Sequence, residues 1–173
     1  MSSPLHKSMG SSFNPNRIHD VFINFRGKDT RGNFVSHLVA ALTNAGINTY
    51  IDAQLHKGTE VGPELLAAIE KSHISILIFS NRYTESGWCL QELDKVMECH
   101  RTHGQLVVPV FYDVDPSVVR HQIGDFGKKL RATAKRMYFR QGGEERVEYV
   151  LSNWRSSLTQ AANLSGWDVL NCR

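Results

Sequence analysis

Ile74-Ser75-Ile76-Leu77-Ile78-Phe79-Ser80 is followed, two residues on, by Tyr83-Thr84-Glu85-Ser86-Gly87-Trp88-Cys89-Leu90-Gln91-Glu92-Leu93. The first run is nearly continuous in apolar residues over the length of one strand, which is how a parallel strand buried on both faces reads. The second opens a helix that the spacing predicts over Trp88 to His100. Glu92 therefore falls in the first turn or two of a helix that starts just past the carboxyl end of a buried strand, the place where open α/β sheets build their sites.

The same alternation of short apolar runs and amphipathic segments extends in both directions. Upstream it predicts strands over Val21 to Phe25 and Ile47 to Ile51, and helices over Thr30 to Ala45 and Pro63 to Ser72. Downstream it predicts a strand over Leu106 to Tyr112 and helical pieces within 115 to 139 and 146 to 163. Local punctuation agrees: Asp29 or Thr30 as N-cap of the first helix, Gly46 just past its end, and Pro63 in the first turn of the second. This is the βαβα pattern of a parallel sheet covered by helices on both faces, with flavodoxin-like strand order the favoured topology and five strands the expected number. No internal repeat interrupts it.

At 173 residues and 41% hydrophobic content the chain suits one domain with a real core. Residues 1 to 17 are rich in Ser, Asn, Pro and Gly and poor in large apolar residues, so they are expected to form a flexible leader to a domain spanning 18 to 173. The formal charge of +3 and pI near 8.8 are mildly basic, but Lys and Arg are interspersed with Asp and Glu. That gives a nucleic-acid partner only weak support. No segment approaches the roughly 20 apolar residues of a membrane span, and no signal core opens the chain. Three cysteines, Cys89, Cys99 and Cys172, make an odd number. The first two lie on one predicted helix about 15 Å apart, too far to bridge. A reducing interior is the expected compartment, cytoplasmic with a nuclear location also open.

In flavodoxin-like order the sheet reverses direction between strands one and three, so the loops after them face each other across a crevice. The first loop is Phe25-Arg26-Gly27-Lys28-Asp29-Thr30-Arg31, with two guanidinium forks suited to phosphate and a glycine that allows tight backbone geometry. The second contains Trp88 and Glu92. Arginines, an aromatic ring, small hydroxyls and one carboxylate are what holding a nucleotide requires. Each also has a plainer reading: Arg26 and Arg31 as partners of surface acids, Trp88 as a packing anchor, and Glu92 as a complement to the helix dipole.

Several chemistries are disfavoured. No Gly-x-Gly-x-x-Gly follows strand one, and no Gly-x-x-x-x-Gly-Lys-Ser/Thr occurs. A phospho-receiver would carry an aspartate where this chain has Phe79-Ser80. Cys99-His100 with His103 has the residue types of a metal site but lacks a second spaced pair, and a solvated helix end is the better reading, so no metal is expected.

The run from Asp20 to Arg31, Asp-Val-Phe-Ile-Asn-Phe-Arg-Gly-Lys-Asp-Thr-Arg, closely resembles the opening box of plant TIR (Toll/interleukin-1 receptor) domains. Further boxes occur in order: Ser36-His37-Leu38, Ala68-Ile69-Glu70-Lys71-Ser72, Trp88 to Leu93, Pro109 to Ser117, and Ala161 to Trp167. The resemblance covers residues 19 to about 169. It implies an NAD+-cleaving enzyme of plant immune signalling, active once several copies assemble into dimers or tetramers or pair with other TIR domains. NADP+ is a further candidate substrate, and no separate cofactor is implied. By analogy Glu92 is the catalytic glutamate, and Arg26, Gly27, Arg31, Ser86, Trp88 and Cys89 surround the nucleotide. Cys89 matches a cysteine tied to a second activity of the family, formation of 2′,3′-cyclic nucleotides on nucleic acid; an ordinary small buried residue is the alternative.

The implied chemistry fits the residues. Nicotinamide leaves a pyridinium cation as a neutral molecule, so no general acid is needed, unlike in glycosidases with their paired carboxylates. Ser36 and His37 match the family's self-association surface and lie opposite the inward stripe expected from Phe34, Leu38, Ala41, Leu42 and Ala45. The segment Asp52 to Gly62, with Gly58 and Gly62, corresponds to the family's mobile loop. A catalytically silent adaptor working through TIR-TIR contacts is the alternative from another class. The chain departs from the family pattern at Ile23-Asn24, where Leu-Ser is usual, at Lys28 in place of Glu, and at Gly87. It also ends at Arg173, where relatives usually continue into another helix.

Overall fold

The computed structural model describes residues 16–52 and 61–169. Along them run β1 (His19–Phe25), a short α1 (Gly27–Thr30), a π-helical turn (Arg31–Val35) leading into α2 (Ser36–Asn44), β2 (Thr49–Ile51), α3 (Pro63–Glu70) and β3 (Ser72–Phe79). A 3-10 turn (Tyr83–Glu85) then precedes α4 (Gly87–His103), β4 (Leu106–Phe111), α5 (Pro116–His121), α6 (Asp125–Ala162) and the two-residue β5 (Trp167–Asp168). The described strands form one parallel sheet in the order β2-β1-β3-β4-β5. β1 and β3 lie side by side, with Phe25 level with Ile78. Their carboxyl ends are therefore adjacent, and the chain leaves them toward opposite edges of the sheet, which opens the crevice expected at a switch point.

Strand alternation sends side chains to two unequal cores. Phe22, Leu77, Phe79, Val107 and Phe111 face α3, α4, α5 and α6, where Leu90, Leu93, Met97, Leu130, Leu151 and Trp154 complete a deep core. Val21, Ile23, Phe25, Ile78 and Val110 face the other way, against Val35 and the half-buried Phe34, Leu38, Val39 and Leu42. That second face is thinly covered: Leu106 is 57% and Trp167 67% exposed. Asn24 shares the deep-core face with Phe22, so the one buried polar side chain on that face of β1 points at α4.

Helix ends follow their local chemistry. Ser86 caps α4, its hydroxyl accepting from Cys89 N at 3.2 Å. Gly104 closes the same helix at φ 63°, a left-handed conformation that glycine adopts at no steric cost. Asp115 caps α5 through Ser117 N at 2.7 Å. α6 kinks at Gly142 and Gly143, which divides it at the boundary between the two helical pieces read from sequence.

Four local expectations are corrected. The first helix is already under way at Gly27, so Asp29 lies inside α1 rather than capping it. Thr30 marks the break between α1 and the π turn, its hydroxyl donating to Arg26 O at 3.3 Å. Ala41 and Ala45 are exposed, and the inward stripe is Phe34, Val35, Leu38, Val39 and Leu42, because the π turn rotates the helix relative to a uniform 3.6-residue period. β2 begins at Thr49, since Ile47 N is used to close the α2 turn onto Leu42 O at 2.9 Å. α3 ends at Glu70 and β3 begins at Ser72, because Lys71 O already accepts from the backbone N–H groups of Ile18 and His19 at the start of the sheet.

Candidate active site

Asn24, one residue from the end of β1, is 0% exposed and reaches across to α4. Its Nδ2 donates to Glu92 Oε2 at 2.7 Å and to Cys89 O at 3.2 Å. The Tyr83 hydroxyl, from the turn after β3, donates to Asn24 Oδ1 and also lies 3.2 Å from Cys89 O. Glu92 stands in the second turn of α4, 4% exposed, at the carboxyl end of the sheet.

Around this buried cluster the two facing loops are tied by ion pairs. Arg26, directly after β1, places Nη1 2.5 Å from Asp29 Oδ1 and Nη2 3.3 Å from Glu85 Oε2. Ser80 Oγ donates to the other oxygen of Asp29 at 2.6 Å. Glu85 collects Arg82 at 2.7 Å and Lys129 at 3.1 Å as well. Burial would raise the Glu85 carboxyl, but hydrogen bonds from Lys129 and Arg82 hold it below the usual range. Arg31 folds over the Phe25 ring at 5.3 Å and donates to Asp52 O at 3.3 Å. A Cβ at Gly27 would stand 3.2 Å from Arg31 Nε, so the bare glycine leaves the room that this guanidinium occupies. Trp88 Nε1 donates to Asp52 Oδ2 at 3.0 Å, so Asp52, at the end of β2, is held by both an arginine and the indole.

The electrostatics of Glu92 and Glu85 run in opposite directions. Burial pushes the Glu92 carboxyl up to about 8, with hydrogen bonds from Asn24 and Trp88 opposing the rise and the Asp52 charge adding to it. Burial, then the neighbouring Glu92 carboxylate, push the Cys89 thiol far above its usual value. Its Sγ donates to Phe25 O at 3.3 Å. Burial raises the Tyr83 phenol well above normal too, which keeps it a neutral donor. A cleft carboxyl displaced this far from its ordinary value is a marker of function.

The TIR domain model matches residues 18–173. The chain belongs to the TIR domain family. It is 48% identical over 155 residues to disease resistance protein RPV1 of Vitis rotundifolia, covering 90% of this chain and 10% of that protein. With disease resistance protein RPP5 of Arabidopsis thaliana it shares 44% identity over 161 residues, 93% of this chain and 11% of that one. It thus spans about a tenth of the length of these curated relatives. Among solved structures, the TIR domains of the activated Roq1 resistosome, which directly recognizes the pathogen effector XopQ, superpose with a TM-score of 0.77 at 42% identity, covering 89% of each chain.

This TIR domain brings Glu92, Trp88, Cys89, Ser86, Arg26, Gly27 and Arg31 to one end of the sheet, around the ends of β1, β2 and β3 and the start of α4. Ser36 and His37 sit apart from them, exposed at the start of α2. Gly62 is the extended residue before α3, whereas Gly58 and the segment 53–60 lie outside the described residues, as do Cys172 and residues 1–15 of the expected leader. Cys99 is buried, and the ring of His100 pairs through Nδ1 with Gln105 O at 2.8 Å. Among the described residues no group of three His, Cys, Asp or Glu side chains is placed to hold a metal, and no helix is long and apolar enough to cross a membrane.

Sequence reasoning passed over Asn24, Tyr83, Asp29 and Asp52 as members of this TIR site. Asn24 carried a signal: a polar amide inside the apolar run Val21 to Phe25 is costly unless something buried needs it. Asp52 carried none, since its role depends on where β2 ends relative to α4.

Proposed function

We propose that this TIR domain is an NAD+ glycohydrolase of plant immune signalling that cleaves the bond between nicotinamide and ribose after self-association, releasing nicotinamide and ADP-ribose-derived or cyclic products. The observation that carries this is Glu92: the one buried carboxyl among the described residues, set in the switch-point crevice and aimed by a buried amide. With a neutral leaving group, one carboxylate suffices to orient the ribose hydroxyls and stabilise the oxocarbenium-like charge as the bond breaks. A cationic nicotinamide riboside beside Glu92 favours its ionised form, so substrate binding itself supplies the charge state that burial opposes. Trp88, Arg26 and Arg31 offer an aromatic face and two cations for the rest of the dinucleotide; Arg26 would exchange Asp29 or Glu85 for phosphate. NADP+ is a second candidate substrate.

Self-association is assigned to the surface bearing the exposed Ser36 and His37, giving dimers or tetramers. A catalytically silent adaptor is the second reading, favoured by the closure of the site in a single chain, where Glu92 is 4% exposed. The formation of 2′,3′-cyclic nucleotides on nucleic acid is less well supported, because a buried thiol displaced upward is a poor nucleophile at neutral pH.

The deciding experiment is nicotinamide release from NAD+ across a protein concentration series, with Glu92→Ala in parallel. Release that rises faster than linearly with protein and vanishes in the variant is the expected result. No release at concentrations where self-association is demonstrated leaves the adaptor.

A further inference from the structure

Asn24 occupies a position where nothing but a specific partner repays its burial. It is 0% exposed, flanked by Ile23 and Phe25, on the face of β1 that otherwise presents Phe22 to the deep core. Its hydrogen bonds leave no freedom in which end of the amide faces Glu92. Both Nδ2 hydrogens are donated, one to Glu92 Oε2 at 2.7 Å and one to Cys89 O at 3.2 Å, while Oδ1 accepts from the Tyr83 hydroxyl. A flipped amide would set its oxygen against Glu92 Oε2 and Cys89 O and turn its NH2 toward the Tyr83 hydroxyl, leaving that hydroxyl Cys89 O alone, at 3.2 Å, as acceptor. The amide therefore only donates to Glu92. A hydroxyl at this position could donate to a carboxylate or accept from a carboxylic acid with equal ease; an amide locked in this way cannot.

We infer that Asn24, oriented by Tyr83, is a positioning residue that holds Glu92 in a fixed orientation and favours its anionic, hydrogen-bond-accepting form toward the ribose. Its part in turnover rests on the NAD-cleaving reading of the site, but its hold on Glu92 does not. The other titratable groups facing Glu92 are Tyr50 and Asp52 from the β2 edge, Tyr83 from the turn after β3, and Cys89 on the same helix. None of these is a cation. Against a carboxylate surrounded by neutral or acidic neighbours, the Asn24 N–H is the one donor from β1, while the single Trp88 indole N–H on α4 is shared with Asp52 Oδ2 at 3.0 Å.

The test reads Glu92 directly. The side-chain carboxyl carbon of Glu92, assigned by its disappearance in Glu92→Gln, is followed by NMR across roughly pH 5 to 10 in the native chain and in Asn24→Ala, Asn24→Ser and Tyr83→Phe. Asn24→Ala is expected to move the titration midpoint upward by about one unit or more, Tyr83→Phe in the same direction by less, and Asn24→Ser to fall between native and Asn24→Ala. A midpoint in Asn24→Ala that stays at the native value or moves down overturns the inference. If that variant does not fold, Asn24→Ser and Tyr83→Phe carry the same readout, and native midpoints in both overturn it equally.

Nicotinamide release measured on the same samples separates the two claims. The rising limb of the pH–rate profile should move with the midpoint, with kcat recovering at high pH and KM changing less. If the native chain cleaves no NAD+ while the midpoint shifts as expected, the NAD reading falls and the Asn24 assignment stands. Unshifted midpoints in a chain that does cleave NAD+ overturn Asn24 alone.

Discussion

Arg26 Nη2 stands 3.3 Å from Glu85 Oε2, and this contact ties the end of β1 to the turn after β3. With Asp29 at 2.5 Å on Nη1 and Ser80 bonded to Asp29, one guanidinium closes a chain of contacts across the crevice floor. The Arg26 side chain is 11% exposed, so its loss takes a partly desolvated cation from Asp29, which keeps the Ser80 hydroxyl, and from Glu85, which keeps Arg82 and Lys129. Arg26→Ala is expected to destabilise the fold by about 1 to 3 kcal/mol in denaturant titration without any ligand. Arg26→Lys should recover only part of this, since an ammonium does not span both acids as a planar fork does. An unchanged midpoint in Arg26→Ala would mean that the guanidinium is free for phosphate and not held by its neighbours.

The Glu92 carboxyl works against the stability of the fold. Its folded value of about 8 lies above the ordinary 4.5, so at low pH folded and unfolded chains both hold the proton and Glu92 costs nothing. Between these values the unfolded chain releases a proton that the folded chain keeps, and stability falls as pH rises, levelling off above about 8. Glu92→Gln removes the titration while keeping an acceptor for Asn24. Its Tm is expected to match the native chain near pH 4.5 and to exceed it by roughly 5 °C or more at pH 9. The same variant should lose NAD turnover, which would make Glu92 a case of stability given up for function. A Tm difference that does not grow with pH would show that Glu92 ionises in the folded chain as easily as in water.

Most of the sheet was legible because parallel strands buried on both faces announce themselves as unbroken apolar runs, as Ile74 to Phe79 does. β5 was not located in advance, because Trp167–Asp168 has no periodicity to detect and exists only through its pairing with Val110 and Phe111. The inward face of the first helix was misassigned at Ala41 and Ala45, since a π turn inside a helix leaves the sequence pattern intact while rotating the residues beyond it. The location of Glu92, Trp88, Arg26 and Arg31 at the crevice was legible from their positions after strands. The pairing of Asn24 with Glu92, 68 residues apart, is a tertiary fact that no local pattern encodes.

Two glycines provide a test of the backbone packing. A Cβ on Gly166 would lie 2.2 Å from Pro109 O, a backbone atom of β4 that cannot swing away. Gly166 therefore lets the chain pass close to β4 just before β5 pairs with it. Gly166→Ala should cost about 2 kcal/mol and loosen the β5 edge, seen as faster amide exchange at Trp167 and Asp168. Gly32, in the π turn, has nothing within 4 Å of its absent Cβ, and Gly32→Ala is expected to stabilise by about 0.5 to 1 kcal/mol by restricting the unfolded chain. Equal effects at the two positions would contradict the close approach at Gly166.

Cys89 separates two chemistries. Its thiol is buried, donates to Phe25 O at 3.3 Å, and is displaced upward by burial and by Glu92. A thiolate is the reactive form, so in a Cys172→Ser background the native chain should react with a thiol reagent only on unfolding, when both Cys89 and Cys99 become available. Cys89→Ser keeps a donor for Phe25 O and is expected to retain NAD turnover to within about threefold, with a stability loss of about 1 kcal/mol. Fast labelling of Cys89 in the folded chain, together with loss of a nucleic-acid-dependent cyclase activity in Cys89→Ser, would instead make the thiol a working group of the crevice.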